Sequence, residues 1–561
     1  MRHKQGGVWA GLSWQEFLDQ GRAIGLALLN SGLRAGEVVT ILSENRPEWL
    51  VVDMAVQAVG AISHGLYPGS ATDQVAHALE AAGPVAVFVE NTDQLMKVLP
   101  AASLCTRLRL VVVMDAQGLR GADDPRIVQY ADLLARGLRC AELDAQVFDE
   151  FIDAGATSPV AVLLGTAGTT GSSRLVAVNQ AGVLARVRQC ARWLTLGKGD
   201  HCLSFTPLSQ AGEHMAVLAA LLVHDSLVHF PENSATLIND LVEVAPHVLL
   251  GPPRFWEKMH YRVQLFMEDA MPLARTAYGR SLGVARRSWW HRAVLRRVQV
   301  LLGLQRLRMA LVVGASLSGE VAAWYTAIGI PLHTGYCVAE AGGFCSIQPI
   351  SDEPSAPALD VGLHLELAEE GEILVRGAGA GAGADDGYWT NGQLLPFETS
   401  AEGYLRTGDF GAATASGIRV LGRVPAHAVP GDGQPALPEI AEDALRASAY
   451  IADAVFLVET DRPGRCVLVL EEDSIRKYAQ DREVPFADYA SLVHRPEVRS
   501  LISEQVELVN RRLCSRLQVV DFQVVPLVYR TGDEEWTPAL RLNRRVVARK
   551  YARAEQEPVQ V

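Results

Sequence analysis

The sequence predicts an α/β protein: a large N-terminal domain of helix-covered, mixed and mainly parallel sheets, followed by a small α+β C-terminal lid domain. Three features carry that expectation. Short apolar runs rich in β-branched residues alternate with helical stretches, as strands and crossover helices do. One such run, residues 159–164, empties directly into a Gly/Thr loop. Beyond Arg423 the chain meets Pro425, Pro430, Gly431, Gly433, Pro435 and Pro438, a density of breakers that reads as an interdomain hinge. The division is therefore placed at residues 1–423 and 424–561, and the second part alternates strand and helix again.

Taken in order, residues 14–31 show a helical pattern and 38–42 a buried strand, followed by a helix at 73–82 and strands at 85–89 and 110–114. Strands follow at 160–164, 248–250 and 311–313. Unbroken apolar runs of this length fit strands covered on both faces, which is the habit of parallel sheets. Ligands of such sheets bind beyond the carboxyl ends of strands, which is where the Gly/Thr loop falls. Residues 377–384 alternate Gly and Ala, a tract that neither helix nor strand holds without cost and that reads as a surface loop.

At 561 residues the chain exceeds a single core, and an apolar share of 49% supplies ample material to bury. It holds no run of about 18 uncharged apolar residues and no charged-then-apolar leader, so neither a membrane span nor a secretory signal is expected. A cytoplasmic address follows. The eight cysteines are scattered without Cys-x-x-Cys or zinc-like His spacing, which argues against structural metal and disulfides. The net charge of −13 argues against nucleic acid as a partner. One basic stretch departs from this balance: Arg286, Arg287, Arg292, Arg296, Arg297, Arg306 and Arg308 surround Trp289 and Trp290. A solvated helix leading into a strand is the plainer reading, and a face touching a membrane surface or an acyl carrier is the functional one.

The Gly/Thr loop is where chemistry enters. A buried strand ending in such a loop offers backbone N–H groups and the hydroxyls of Thr166, Thr169 and Thr170 to the oxygens of a phosphate chain. No Gly-Lys-Ser/Thr follows the glycines, so the loop is not a Walker A sequence. Its run from 166 to 171, Thr-Ala-Gly-Thr-Thr-Gly, resembles the phosphate loop of the adenylate-forming enzymes. Further motifs resemble that family in its own order. They are Gly314-Ala-Ser-Leu, Gly335-Tyr-Cys-Val-Ala-Glu340, Tyr404-Leu-Arg-Thr-Gly-Asp409, and Gly422 with Arg423. Segments 251–258, 372–377 and 536–541 narrow the resemblance to the branch of bacterial long-chain acyl-CoA synthetases. It covers nearly the whole chain; about thirty residues that such enzymes carry ahead of Ser13 and Trp14 are missing, which implies a late start at Met1.

The resemblance implies an ATP- and Mg²⁺-dependent enzyme that turns a hydrophobic carboxylic acid into an acyl-adenylate and passes it to CoA. It implies that Thr166, Gly168, Thr169, Thr170, Gly171 and Arg174 hold phosphates and that Gly314, Ala315, Ser316, Gly335, Tyr336 and Cys337 line the adenine. Tyr336 would stack on the base. Asp409 would accept from the ribose hydroxyls with Arg423 beside it. Glu340 would hold Mg²⁺, a hard ion that takes oxygen ligands. Arg541 aligns with the lysine that neutralises charge during adenylation, and with Thr166 and Glu340 makes up the expected catalytic set.

The departures from the family pattern support a second reading. Ala167 replaces a Ser, Arg174 a Lys, Leu175 and Cys337 glycines, Ala339 a Thr, and Arg541 a Lys; Ala426, preceded by Pro425, stands at the hinge. Arg keeps the charge of Lys but not its shape. Ser209 and Gln210 stand where relatives place an aromatic or His gate to the acyl channel. The alternatives to a working acid–CoA ligase are a degenerate homologue that binds nucleotide or acyl ligand with little catalysis, and an adenylating enzyme with a non-CoA acceptor.

Overall fold

The computed structural model describes the chain except residues 103–104, 120–123, 144–145, 154–159, 167–173, 223–224, 283–287, 331, 351–362, 378–385, 391, 415–416, 424–436, 458–463, 528–534, 537–541 and 552–561, and the side chains of Leu143, Gly377 and Arg423. The expected strands and helices are present within a residue or two, as Trp14–Asn30, Val38–Leu42, Thr72–Ala82, Ala86–Val89, Leu110–Val113, Val160–Gly165, Val248–Gly251 and Met309–Val313. Ser13 explains where the first helix begins. Its side chain accepts from the Glu16 N–H while Glu16 reaches back to the Ser13 N–H, a reciprocal cap.

The strands assemble into four sheets among the described residues, two of them large and mainly parallel, as the strand pattern predicts. In the nine-stranded sheet six strands run parallel, and the run ends where Val160–Gly165 pairs antiparallel with Leu175–Asn179. The eight-stranded sheet repeats the plan. Its parallel strands end where Leu332–Val338 turns back antiparallel on Gly343–Pro349. A four-stranded antiparallel sheet carries Glu372–Gly377, Leu405–Thr414 and Gly417–Arg423, and a three-stranded sheet lies in the C-terminal part.

One apolar core cluster draws on both large sheets, joining Val162 and Val176 of one to Val228, Leu311 and Phe344 of the other. The helix Ala211–Leu222 contributes Met215, Leu218 and Leu221 to it and is buried along nearly all its length. A helix apolar on every side belongs in such an interior. Separate clusters serve the C-terminal part, around Leu445, Phe456 and Ile502 and around Val467, Trp536 and Val547. No helix among the described residues is long and apolar enough to cross a membrane.

The basic stretch forms the helix Trp289–Leu301, with Arg292, Arg296 and Arg297 exposed and Trp289 81% exposed. Two of its arginines hold structure together: Arg306 donates to the Ala245 carbonyl at 2.8 Å and Arg308 pairs with Asp200. Arg286 and Arg287 lie outside the described residues, as do the tract 378–385 and the hinge residues Pro425 and Ala426.

The strand Arg2–Gln5 is fixed by charge. Lys4, buried, pairs with Asp240 at 2.8 Å and with Glu243 at 2.7 Å, and Asp240 is wholly buried. Removing one member of a buried pair strands the other charge. Lys4→Met is expected to lower stability by about 3 kcal/mol, read as a drop in the thermal midpoint, whereas Asp240→Asn with Lys4→Met together should recover part of that loss.

Candidate nucleotide site

The neck of the Gly/Thr loop is closed by two reciprocal bonds. Gly165 faces Leu175 across the antiparallel pair, and just outside it the Thr166 N–H donates to the Arg174 carbonyl and the Arg174 N–H to Thr166 Oγ1, both at 2.9 Å. The loop therefore leaves and returns at one point, at the carboxyl end of the parallel run. Ala167, Gly168, Thr169, Thr170 and Gly171 lie outside the described residues. Leu175 is buried in a core cluster with Ala177 and Leu163, because strand alternation sends it to the face opposite Arg174.

Gly335, Tyr336 and Cys337 sit on the strand Leu332–Val338. A Cβ on Gly335 would lie 2.6 Å from the Phe344 ring, so glycine lets the returning strand close over it. Tyr336 is buried among Val338, Ala341, Ile373 and Val375, and its hydroxyl donates to Asp409 Oδ2 at 2.6 Å. Burial, reinforced by the Asp409 charge, raises the phenol pKa, so Tyr336 remains a donor. Cys337 points to the other side, its sulfur 3.4 Å from where a Cβ on Gly212 would stand, with burial pushing the thiol up to about 12. A thiol so shifted is packing, not nucleophile.

Asp409 follows Gly408, which at φ +72° adopts a backbone conformation that favours glycine. The Gly408 N–H donates to Glu372 at 2.9 Å and the Asp409 N–H to Thr407 Oγ1 at 3.1 Å, fixing the turn of chain that presents the carboxylate. Asp409 stands opposite Arg423 in the strand register. Gly314, at φ +88°, follows the strand end at Val313, which pairs with Gly335, and begins the loop of Ala315 and Ser316. The Ser316 hydroxyl bonds Asp443 of the helix Pro438–Arg446, so the C-terminal part touches this loop directly.

That contact continues inward. Arg446, buried, pairs with Asp443 and, at 3.1 Å, with Asp453; burial works to discharge it, but the surrounding carboxylates Asp443, Asp453, Glu442 and Glu257 together raise its pKa. Asp453 Oδ2 in turn accepts from the Leu542 N–H at 2.7 Å. Arg541 lies outside the described residues, but the residue after it is anchored through this chain of contacts to the loop 314–316.

Glu340 lies on the single helical turn Ala339–Ala341 between the two strands, half-buried, and accepts from the Tyr388 hydroxyl at 3.1 Å. Tyr388 in turn lies under the Arg174 guanidinium, 5.2 Å from its ring centroid. One unbroken series of contacts thus runs from Thr166 through Arg174, Tyr388 and Glu340 to the hairpin bearing Tyr336 and so to Asp409. Among the described residues no three His, Cys, Asp or Glu side chains cluster as a metal cage. A lone, half-buried carboxylate beside a phosphate-type loop fits Mg²⁺, which keeps its waters and takes one or two carboxylates plus phosphate oxygens.

Away from these motifs, Ser209 packs against Trp49 and Gly65, where a glycine Cβ would lie 2.9 Å from Trp49 and 3.0 Å from the Ser209 backbone. Next to it lies a polar network that ties the two large sheets together. Asn45 donates to Ser204 at 2.9 Å and accepts from the Leu208 N–H, while Ser204 donates to Glu213 at 2.6 Å. Single polar residues within apolar runs gave no sign of it, and Tyr388 was equally silent beside the Gly/Ala tract.

The fold and the ordered motifs together define an enzyme of the AMP-binding class. The chain belongs to the AMP-binding enzyme family, whose profile matches residues 4–389. It is similar to the long-chain-fatty-acid–CoA ligase FadD15 of Mycobacterium tuberculosis, with 26% identity covering 97% of this chain and 92% of the relative. Long-chain-fatty-acid–CoA ligase 1 of Cavia porcellus is 22% identical, with 97% of this chain and 81% of that one covered. Among solved structures, the adenylation domain of a carboxylate reductase from Mycobacterium chelonae superimposes with a TM-score of 0.72 at 17% identity, covering 97% of this chain and 84% of that domain. The anthranilate CoA ligase AuaEII, with anthranoyl-AMP bound, gives 0.68 at 15% identity, covering 98% and 94%.

Glu213 supplies a pH signature. Burial raises its pKa from 4.5 to about 8, against the opposing Ser204 hydrogen bond. The folded protein then keeps a proton that the unfolded chain has lost, so stability is full below pH 4.5 and falls as pH rises through about 8. Glu213→Gln is expected to flatten that slope and to raise the thermal midpoint at pH 8 more than at pH 5, measured by calorimetric melts at both values.

Proposed function

We propose that this protein is an ATP-dependent acid–thiol ligase that activates a long, hydrophobic carboxylic acid as its acyl-adenylate and transfers the acyl group to CoA. The observation that carries the reading is the continuous contact series from Thr166 to Asp409, built at the sheet edges of a chain whose relatives are named long-chain-fatty-acid–CoA ligases. In the first step the substrate carboxylate attacks the α-phosphorus of ATP and pyrophosphate leaves. In the second, the CoA thiolate attacks the acyl carbonyl and AMP leaves. Both steps concentrate negative charge and ask the protein chiefly for positioning and electrostatic support.

In this reading Thr166, Gly168, Thr169, Thr170, Gly171 and Arg174 hold the phosphates, Gly314, Ala315, Ser316 and Gly335 border the adenine, and Asp409 with Arg423 takes the ribose. Tyr336 serves as the buried donor that fixes the Asp409 carboxylate, with Cys337 behind it as packing. Glu340 holds Mg²⁺, which when bound neutralises charge on the phosphate oxygens. Arg541, carried by residues 424–561 as a lid over the larger domain, meets the charge that develops during adenylation. The reaction belongs in the cytoplasm, where ATP and CoA are at hand.

Two experiments bear on this. Pyrophosphate release with ATP, Mg²⁺ and a panel of acids is expected to favour medium and long chains over acetate, and CoA should then yield the thioester; acetate as the best acid, or silence across the panel, defeats the proposal. Asp409→Ala is expected to weaken AMP binding about tenfold by calorimetry, the loss of one to two good hydrogen bonds, and unchanged affinity would remove Asp409 from the site.

A further inference from the structure

Tyr388 stands where three parts of the site meet. Its strand Gly387–Thr390 pairs antiparallel with Leu175–Asn179, with Tyr388 opposite Val176, so the tyrosine lies beside the exit of the phosphate loop. Alternation puts Trp389 on the other face, where its indole donates to the Ala82 carbonyl at 3.3 Å. Tyr388 is left facing the site, its ring braced edge-on by Phe397 at 5.0 Å. On one side its hydroxyl meets Glu340 Oε1 at 3.1 Å; on the other the Arg174 guanidinium covers the ring at 5.2 Å from its centroid.

The proton inventory fixes the direction of the bond to Glu340. A phenol has one proton to give and accepts through its oxygen. A carboxylate oxygen accepts, so the phenol proton goes to Glu340. Arginine suits this seat because its planar guanidinium lies on the ring face, which an ammonium on a flexible stem does not match.

We propose that Tyr388 is a positioning residue of the nucleotide site: it aims the Glu340 carboxylate at Mg²⁺ and seats Arg174 at the loop exit, which makes arginine the cation adapted to this position. The substitution of the family lysine is then an accommodation to Tyr388 and not a loss. This inference rests on the reading of Glu340 as the Mg²⁺ residue given above.

The test is calorimetric titration of ATP, with Mg²⁺ and with EDTA, so that it needs no turnover. Tyr388→Phe keeps the ring and removes the hydroxyl. It is expected to weaken Mg²⁺-dependent ATP binding and to raise the half-saturating Mg²⁺ concentration about tenfold, the usual effect of losing the partner of a metal ligand. ATP binding in EDTA should stay as it is, which also reports that the site is folded. Glu340→Gln should abolish the Mg²⁺ enhancement, and Tyr388→Phe added to it should change nothing more. Arg174→Lys is expected to weaken ATP binding severalfold in the natural protein.

If Glu340→Gln leaves Mg²⁺ dependence intact, the reading of Glu340 fails and this inference fails with it. If Glu340→Gln acts and Tyr388→Phe does not, the inference alone is overturned. Arg174→Lys binding ATP as well as the natural protein, or better, overturns the match between arginine and Tyr388.

Discussion

The site depends on one topological constraint, which is that each large sheet ends its parallel run in an antiparallel reversal. A parallel strand must be followed by a long crossover, and so its carboxyl end leads away from the sheet. An antiparallel return brings the chain back to where it left. At Val160–Gly165 the return creates a loop with a closed neck between Thr166 and Arg174. At Leu332–Val338 it creates a hairpin whose turn bears Glu340 and whose outgoing strand bears Tyr336. Without these reversals the motif residues would end in crossovers and diverge.

The two reversals are then joined by side chains from elsewhere. Tyr388 bridges Arg174 of one to Glu340 of the other, and Asp409, from the four-stranded sheet, accepts the Tyr336 hydroxyl. Behind them Asn45, Ser204 and Glu213 hold the sheets in register through a buried polar network. Such a network specifies one arrangement because each member left unpaired in the interior costs free energy. The arrangement of the sheets and the arrangement of the nucleotide groups are therefore set by neighbouring contacts within the same interior.

The C-terminal part enters this scheme through Asp443 on Ser316 and through Arg446 and Asp453, which secure the backbone at Leu542. The helix Pro438–Arg446 thus bears simultaneously on the loop 314–316 and on the backbone at Leu542. Of these contacts only Asp443 on Ser316 crosses to the larger part; the pairs of Arg446 lie within the C-terminal part and hold its own helix and strand to the backbone at Leu542.

Much of this was legible in the residues alone. Apolar runs such as 38–42 and 248–250 have one physical solution, a strand covered on both faces, and they form it. The motif residues Thr166, Arg174, Glu340, Tyr336 and Asp409 announce themselves by type and order, and the structure links them through side-chain contacts. Tyr388 could not be found in that way, nor could Lys4 with Asp240 or Glu213 with Ser204. Their partners are distant in sequence or follow no periodic pattern, and a tyrosine or glutamate carries no sign of what it will face. The division of strands among four sheets was likewise settled by long-range pairing, since each strand's local pattern is the same in either large sheet. Sequence determined which segments are buried and which residues have chemistry to offer; the tertiary structure decided which of them meet, because meeting depends on contacts that no local interaction specifies.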